Sequence, residues 1–213
     1  MIESEKVIAL IKDVKQKQEL RDLHDFFIRE YVIKCLSQEP KIAKSLQENF
    51  NPKSKAYRAL IKKVRSQLRR VYGLFRDDQV KRKIAVRELL KTSPQKRKKV
   101  IDDILFTHSS TKERLPFYDQ LYPRIFSITG KPETILDLGC GINPFSFPYM
   151  KLERCKYYAY DINEEEIESI NNYFQLLHQE NSSFSGKAAA ADMVKGKLPA
   201  ADLCFLFKMT DVL

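Results

Sequence analysis

The 213-residue chain has no tryptophan, only 6 glycines, and prolines numbering 9. Collagenous and low-complexity architectures, which need strongly skewed composition, are thereby excluded. No apolar run approaches the roughly 20 residues of a membrane-spanning helix. The N-terminus, MIESEKVIALIKDVKQ, carries acids where a secretory leader has a basic stretch and an apolar core. A cytoplasmic location and no membrane partner are expected. Cys35, Cys140, Cys155 and Cys204 form no C-x-x-C pair and the 3 histidines are scattered, so neither a disulfide framework nor a metal site is expected. What remains is ordinary globular composition: 43% hydrophobic, 11% aromatic and 31% charged. That suits one large domain or two small ones, at about 100–200 residues each.

The charge is divided unevenly. Residues 1–132 hold 31 Lys and Arg against 16 acids, whereas residues 133–213 hold 7 against 12. Residues 53–99 alone carry 18 basic and 3 acidic side chains. Such a concentration is what a polyphosphate ligand requires.

Residues 1–106 read as helices. Over 55–75, Tyr57, Leu60, Ile61, Val64, Leu68, Val71, Tyr72 and Phe75 recur at the spacing of one helical face. The opposite face carries Arg58, Lys62, Lys63, Arg65, Arg69 and Arg70. Asp77 and Asp78 can cap the next helix, and Ser93-Pro94 opens a third that begins with Lys96, Arg97, Lys98 and Lys99. These two basic sets are the candidate nucleic-acid contacts. Ser110 and Glu113 have capping-box spacing and Gly130-Lys131-Pro132 is a stop, which predicts one helix over about 111–128.

From residue 133 short apolar runs alternate with polar helical stretches. Strands are predicted at 133–138, 156–160, near 186–191 and 203–207, with a helix at about 164–178. That alternation implies an α/β fold with a mostly parallel sheet. The expected organisation is an all-helical basic domain over 1–107 and an α/β domain over 108–213.

The first strand runs into Asp137-Leu-Gly139-Cys140-Gly141-Ile-Asn143-Pro144. In a parallel sheet the ligand crevice lies beyond the carboxyl ends of the strands, and paired glycines let backbone approach a ligand. A dinucleotide fingerprint needs a small residue where Pro144 stands, which disfavours a nicotinamide or flavin oxidoreductase. Twenty residues beyond Gly141, Asp161 ends the second strand, the position from which a carboxylate accepts ribose hydroxyls. Asp192, after the third strand, could face an adenine amino group, with Met193 against the ring.

D-L-G-C-G, Asp161 and Asp192 together resemble the S-adenosylmethionine-dependent methyltransferases of Rossmann-like fold. His108-Ser-Ser-Thr-Lys-Glu-Arg114-Leu-Pro-Phe-Tyr118, Leu138-Gly-Cys-Gly-Ile-Asn-Pro-Phe145 and Leu206-Phe-Lys-Met209 narrow this. They resemble the aminoglycoside-resistance 16S ribosomal RNA guanine-N7 methyltransferases, which set a helical RNA-binding domain ahead of the catalytic one. The resemblance implies that S-adenosylmethionine is the cofactor and that ribosomal RNA or the small subunit is the partner. Arg114 would grip the methionine carboxylate, Gly139 and Gly141 underlie the cofactor, Asp161 hold the ribose and Asp192 the adenine. Asp137, Cys140, Asn143, Ile162, Met193 and Phe207 complete the implied cofactor set.

The implied chemistry needs no general base, because guanine N7 has an in-plane lone pair and no proton; alignment and desolvation accelerate the transfer. No N/D-P-P-Y turn follows the fourth strand, as amine-directed enzymes have. Cys204, expected in a buried strand with no base beside it, is no candidate nucleophile. Enzymes of this class continue through three more strands, whereas the sequence ends six residues after the fourth. A missing segment or a partner is therefore expected to complete the sheet edge. The alternative function is a non-catalytic RNA-binding or ribosome-assembly protein on a shortened methyltransferase-like domain.

Overall fold

The computed structural model describes residues 4–72, 78–191 and 197–207. The chain divides into two compact units, Met1–Leu74 and Phe75–Leu213.

The first unit consists of α1 (Ser4–Val14), α2 (Asp25–Gln38), α3 (Pro40–Glu48) and α4 (Lys55–Tyr72). The apolar stripe read from the sequence is its core. Tyr57, Leu60, Ile61, Val64 and Leu68 on α4 are buried with Leu10 and Val14 of α1 and Ile28, Val32 and Cys35 of α2. Each fully buried aliphatic side chain of this kind contributes roughly 1.5–3 kcal/mol. The Tyr57 hydroxyl donates to Asp13 Oδ2 at 2.7 Å, so its polar tip is satisfied inside that core. Tyr72 and Phe75, at the end of the stripe, lie outside the described side chains.

The second unit begins with α5 (Gln79–Leu89) and α6 (Arg97–Phe106), followed by α7 (Ser109–Arg114) and α8 (Tyr118–Thr129). Then come β1 (Thr134–Leu138), α9 (Phe147–Met150), β2 (Cys155–Asp161), α10 (Glu164–Glu180), β3 (Phe184–Ala190) and β4 (Leu203–Phe205). The strands pair in the order β3-β2-β1-β4, all parallel, so β3 and β4 are the outer strands among the described residues.

The structure departs from the sequence reading at four points. The division into units does not fall at 107. Val86 and Leu89 of α5 and Val100, Ile101, Ile104 and Leu105 of α6 share one core with Ile135, Tyr157 and Phe184 of the sheet. Their apolar faces tie both helices to the α/β unit, a preference that net charge does not reveal. The helix predicted over 111–128 is broken: α7 gives way to a 3-10 turn at Leu115–Phe117 before α8. Pro116 has no N–H to continue the ladder. His108, not Ser110, stands at the N-cap of α7. Cys204 is exposed, because on the short strand β4 Phe205 takes the inward position.

Candidate functional site

Register assembles the site. Leu138 pairs with Tyr160 and Asp161 with Ala190, which sets the loop leaving β1 beside the end of β2. That loop turns through Gly139 (φ +62) and Gly141 (φ +49), left-handed conformations that side chains disfavour. A Cβ at Gly141 would also lie 3.4 Å from His108 Nε2, so the imidazole closes one side of the turn. Cys140 N–H donates to Tyr160 O at 3.0 Å. Gly141 N–H donates to Asp161 Oδ2 at 2.8 Å.

Asp161 is half-buried and holds the next turn as well. Its Oδ1 accepts from Ile162 N at 2.7 Å and Asn163 N at 3.1 Å. Asn163 then caps α10, its Oδ1 accepting from Glu166 N at 2.9 Å. A carboxylate offers about four lone-pair directions. Three are taken by backbone, which leaves one on Oδ2 for a ligand hydroxyl. Burial pushes the Asp161 carboxyl above the usual range, against the downward pull of these hydrogen bonds and of the Arg82 charge.

Arg114 ends α7. Its Nη1 donates to Ser110 Oγ at 2.6 Å and its Nη2 to Asn143 Oδ1 at 3.2 Å. The guanidinium lies 4.5 Å from the Phe207 ring centroid, a cation–π contact. Its Nε is buried and has no partner among the described residues. A buried N–H left unpaired costs about 1–3 kcal/mol, so an acceptor is wanted there.

Below Arg114 lies a polar network. Asn143 Oδ1 also accepts from the Tyr118 hydroxyl at 3.3 Å and the Tyr122 hydroxyl at 3.4 Å. Asn143 Nδ2 donates to Asp137 Oδ2 at 2.8 Å, which also accepts from the Tyr157 hydroxyl at 2.7 Å. Burial pushes Asp137 up to about 6 despite these two donors. Burial likewise raises the Tyr118 and Tyr122 hydroxyls, which remain donors at neutral pH. Cys140 is raised well above an ordinary thiol by burial and then by the Asp161 charge, so it stays protonated.

Of the cofactor residues expected from the sequence, Arg114, Gly139, Gly141, Asp161, Ile162 and Phe207 surround the ends of β1 and β2. Asp137, Cys140 and Asn143 are buried beneath them. Asp192 and Met193 lie outside the described residues. Sequence reasoning missed Ser110, Tyr118, Tyr122 and Arg82. The first two had a signal: Ser110 stands four residues before Arg114, one turn away on the same helical face, and Tyr118 closes the same motif. Arg82 had none, because it sits in a basic run. Its Nε donates to Thr107 Oγ1 at 2.9 Å, its Nη2 to Thr107 O at 3.0 Å and its Nη1 to Glu166 Oε1. This buried guanidinium joins α5 to the turn before His108 and to the start of α10.

The basic side chains expected to meet RNA differ in their surroundings. Lys63 pairs with Glu39 at 2.7 Å, Arg69 Nε with Glu19 at 2.9 Å, and Arg65 reaches Asp13 O. Arg58 donates to Lys53 O at 2.8 Å. Lys62 and Arg70 are exposed on the outer face of α4. Arg97 donates to Thr92 O at 2.8 Å and pairs with Glu180. Lys96, Lys98 and Lys99 are exposed. Among the described residues no three His, Cys, Asp or Glu side chains converge as metal ligands do. No helix among them is long and apolar enough to cross a membrane.

Comparison with known proteins follows this geometry. The family model described as ribosomal RNA methyltransferase (FmrO) matches residues 39–213. A 16S rRNA (guanine(1405)-N(7))-methyltransferase of Proteus mirabilis is 34% identical over 118 residues, 54% of this chain and 41% of that protein. One of the same name from Frankia casuarinae is 33% identical over 109 residues, 50% of this chain and 37% of that protein. The matched stretch thus spans about two-fifths of these curated relatives. The solved 16S rRNA methylase RmtB superposes with a TM-score of 0.68 at 20% identity, covering 93% of this chain and 70% of that one. The 16S rRNA methyltransferase RmtF, solved in complex with S-adenosyl-L-homocysteine, gives 0.66 at 20%, covering 95% and 69%. At these identities the structures establish the fold: a methyltransferase-type parallel sheet preceded by helices.

Proposed function

The chain belongs to the FmrO family of ribosomal RNA methyltransferases, and from that premise we propose that it transfers a methyl group from S-adenosylmethionine to a guanine N7 of small-subunit ribosomal RNA. The observation that carries this reading is the buried Nε–H of Arg114, without a partner among the described residues and set near a turn of two left-handed glycines with Asp161 across it. Such a crevice fits an amino-acid carboxylate at one end and a ribose at the other. The names of the relatives support guanine N7 as the acceptor, and the S-adenosyl-L-homocysteine in RmtF supports the cofactor class.

In this reading Arg114 holds the methionine carboxylate through Nε–H, its planar fork already oriented by Ser110, Asn143 and Phe207. Asp161 Oδ2 accepts one ribose hydroxyl. Gly139 and Gly141 let the floor take its left-handed turn, with His108 against Gly141. S-adenosylmethionine supplies an electrophilic methyl group on a sulfonium. The protein moves no proton, because guanine N7 attacks with a free lone pair, and its task is alignment in a water-poor crevice. Arg58, Lys62 and Arg70 on α4, with Lys96 and Lys99 beside α6, are proposed to contact RNA phosphates; such contacts position a strand without reading its sequence.

The test is incubation of the chain with methyl-labelled S-adenosylmethionine and isolated small ribosomal subunits. Label should appear in protein-free RNA at a site where mild reduction and aniline cleave, as N7-methylguanine does. Cofactor binding by calorimetry without any label in RNA would overturn the catalytic reading and favour a non-catalytic RNA-binding protein.

A further inference from the structure

The second unit holds a cleft of about 270 Å³ that the cofactor reading does not use. Two of its lining residues, Lys151 and Glu180, each stand four positions before a strand, β2 and β3. The cleft therefore belongs to the amino end of the sheet, whereas Gly141 and Asp161 lie at the carboxyl end. Pro94, Ile101, Pro148 and Leu177 make its walls apolar, together with Tyr149.

Its charged lining residues are Arg97, Lys98, Asp119, Lys151 and Glu180, of which Arg97 and Glu180 pair with each other. Tyr173 lines the cleft, is 1% exposed, and its hydroxyl has no partner among the described residues. The ring is held by stacking on Phe145 at 4.9 Å. Buried polar atoms are nearly always paired, so this hydroxyl calls for an acceptor from outside. Exposed Lys98 and Lys151 stand on the lining, the Lys98 ammonium 5.4 Å from the Tyr149 ring centroid. Lys151 ends α9 as its C-cap in a left-handed backbone (φ +52), the one non-glycine among the described residues to do so. Asp119, also on the lining, offers an acceptor for a ribose hydroxyl.

We propose that this cleft takes one unpaired nucleotide of an RNA strand: the base between the apolar walls with its edge on the Tyr173 hydroxyl, the flanking phosphates on Lys98 and Lys151. The inference rests on the reading of the chain as RNA-directed. Single-stranded RNA is recognised in this manner, by bases splayed out of the stack into mostly apolar slots with cations along the backbone. The volume is below the roughly 300–1,000 Å³ of pockets that enclose drug-sized ligands, which suits one base rather than two.

The experiment is fluorescence anisotropy of a labelled six-nucleotide unstructured RNA over a salt series, with 5′-AMP as the free-nucleotide arm. Calorimetry with S-adenosylhomocysteine is run on every variant, and a thermal melt checks folding. Tyr173→Phe removes only the hydroxyl and should weaken the hexamer about 3- to 10-fold. Leu177→Trp fills the cleft without touching charge and should weaken it about 10-fold at an unchanged salt slope. The Lys98→Ala/Lys151→Ala double variant should lower the salt slope by about 1.4, at about 0.7 per lost phosphate contact. Cofactor affinity should be the same in all of them. Wild-type hexamer affinity in both Tyr173→Phe and Leu177→Trp would overturn the proposal, and so would 5′-AMP binding more tightly than the hexamer. A wild-type chain that fails to bind S-adenosylhomocysteine would instead count against the enzymatic reading and leave the hexamer result interpretable.

Discussion

Asn143 Oδ1 accepts a hydrogen bond from Arg114 Nη2 across 3.2 Å while Asn143 Nδ2 donates to Asp137 Oδ2 at 2.8 Å. One buried carboxamide thus connects the side chain proposed to meet the cofactor's carboxylate to the carboxylate on β1. With three donors converging on its oxygen, Asn143 has no acceptor capacity left for a ligand. Its part is to position Arg114.

Asn143→Ala should therefore weaken S-adenosylhomocysteine binding about 10-fold. The cause is loss of guanidinium orientation, since hydrogen bonds to charged groups contribute about 1.5–3 kcal/mol. Arg114→Ala should weaken it further. Titration calorimetry on folded variants checks both, and wild-type affinity in Asn143→Ala would show that Arg114 does not depend on it.

Asp161→Ala removes the acceptor for three backbone N–H groups, those of Gly141, Ile162 and Asn163, together with the proposed ribose contact. Cofactor affinity should fall about 100-fold or more, and the melting temperature should fall with it. Asp161→Asn, with one acceptor oxygen in place of two, should not restore binding. Recovery in the amide variant would mean that shape rather than acceptor capacity governs the turn.

Asp137 is a buried carboxyl raised to about 6. Because its folded value lies above its unfolded one, the folded state binds the extra proton. Its contribution to stability is greatest below about pH 4 and is lost as pH rises through 6, by up to about 3 kcal/mol. Asp137→Asn keeps an oxygen for Asn143 and Tyr157 but cannot titrate. Urea unfolding between pH 4 and 7.5 should show the wild type losing stability relative to Asp137→Asn as pH rises. A pH-independent difference would contradict the assignment.

Arg82 and Glu166 form an ion pair with side chains 7% and 11% exposed. Arg82→Met removes the guanidinium from Glu166 and from Thr107 and should cost about 3–5 kcal/mol. Pairing it with Glu166→Leu removes both charges and should recover much of the loss. Chemical denaturation of the two single variants and the double variant closes the cycle. Additive effects would show that the pair is not coupled.

The parts of this fold legible in the sequence are those set by local spacing. The stripe from Tyr57 to Leu68 follows the helical repeat, Asp78 caps α5 through Lys81 N at 3.1 Å, and the short apolar runs become parallel strands. The D-L-G-C-G turn and Asp161 were legible together because parallel register returns each strand end to the same edge. The break at Leu115–Phe117 was misread although Pro116 stood in plain view, because a first-turn proline and an interrupting one look alike until the helix start is known.

Charge alone does not show which tertiary partners a basic side chain meets. The basic run over 53–99 belongs to two units, and within it Lys63, Arg69, Arg82 and Arg97 face acids far away in the chain. Asn143 looked like a ligand contact because it lies in the glycine turn. Only packing shows its amide turned inward, onto Tyr118, Tyr122 and Asp137.

By itself the sequence determined the order of helices and strands, that the sheet is parallel, and which turn and which acid meet at its edge. These follow from periodicities of two and 3.6 residues and from glycine's freedom at positive φ. The tertiary structure alone decided that α5 and α6 serve the sheet, that Arg114 is oriented by Asn143, and that the Arg114 Nε–H and the Tyr173 hydroxyl are buried without a partner among the described residues. Burial and partner choice join residues distant in the chain, and no local pattern encodes which distant residue a side chain will face.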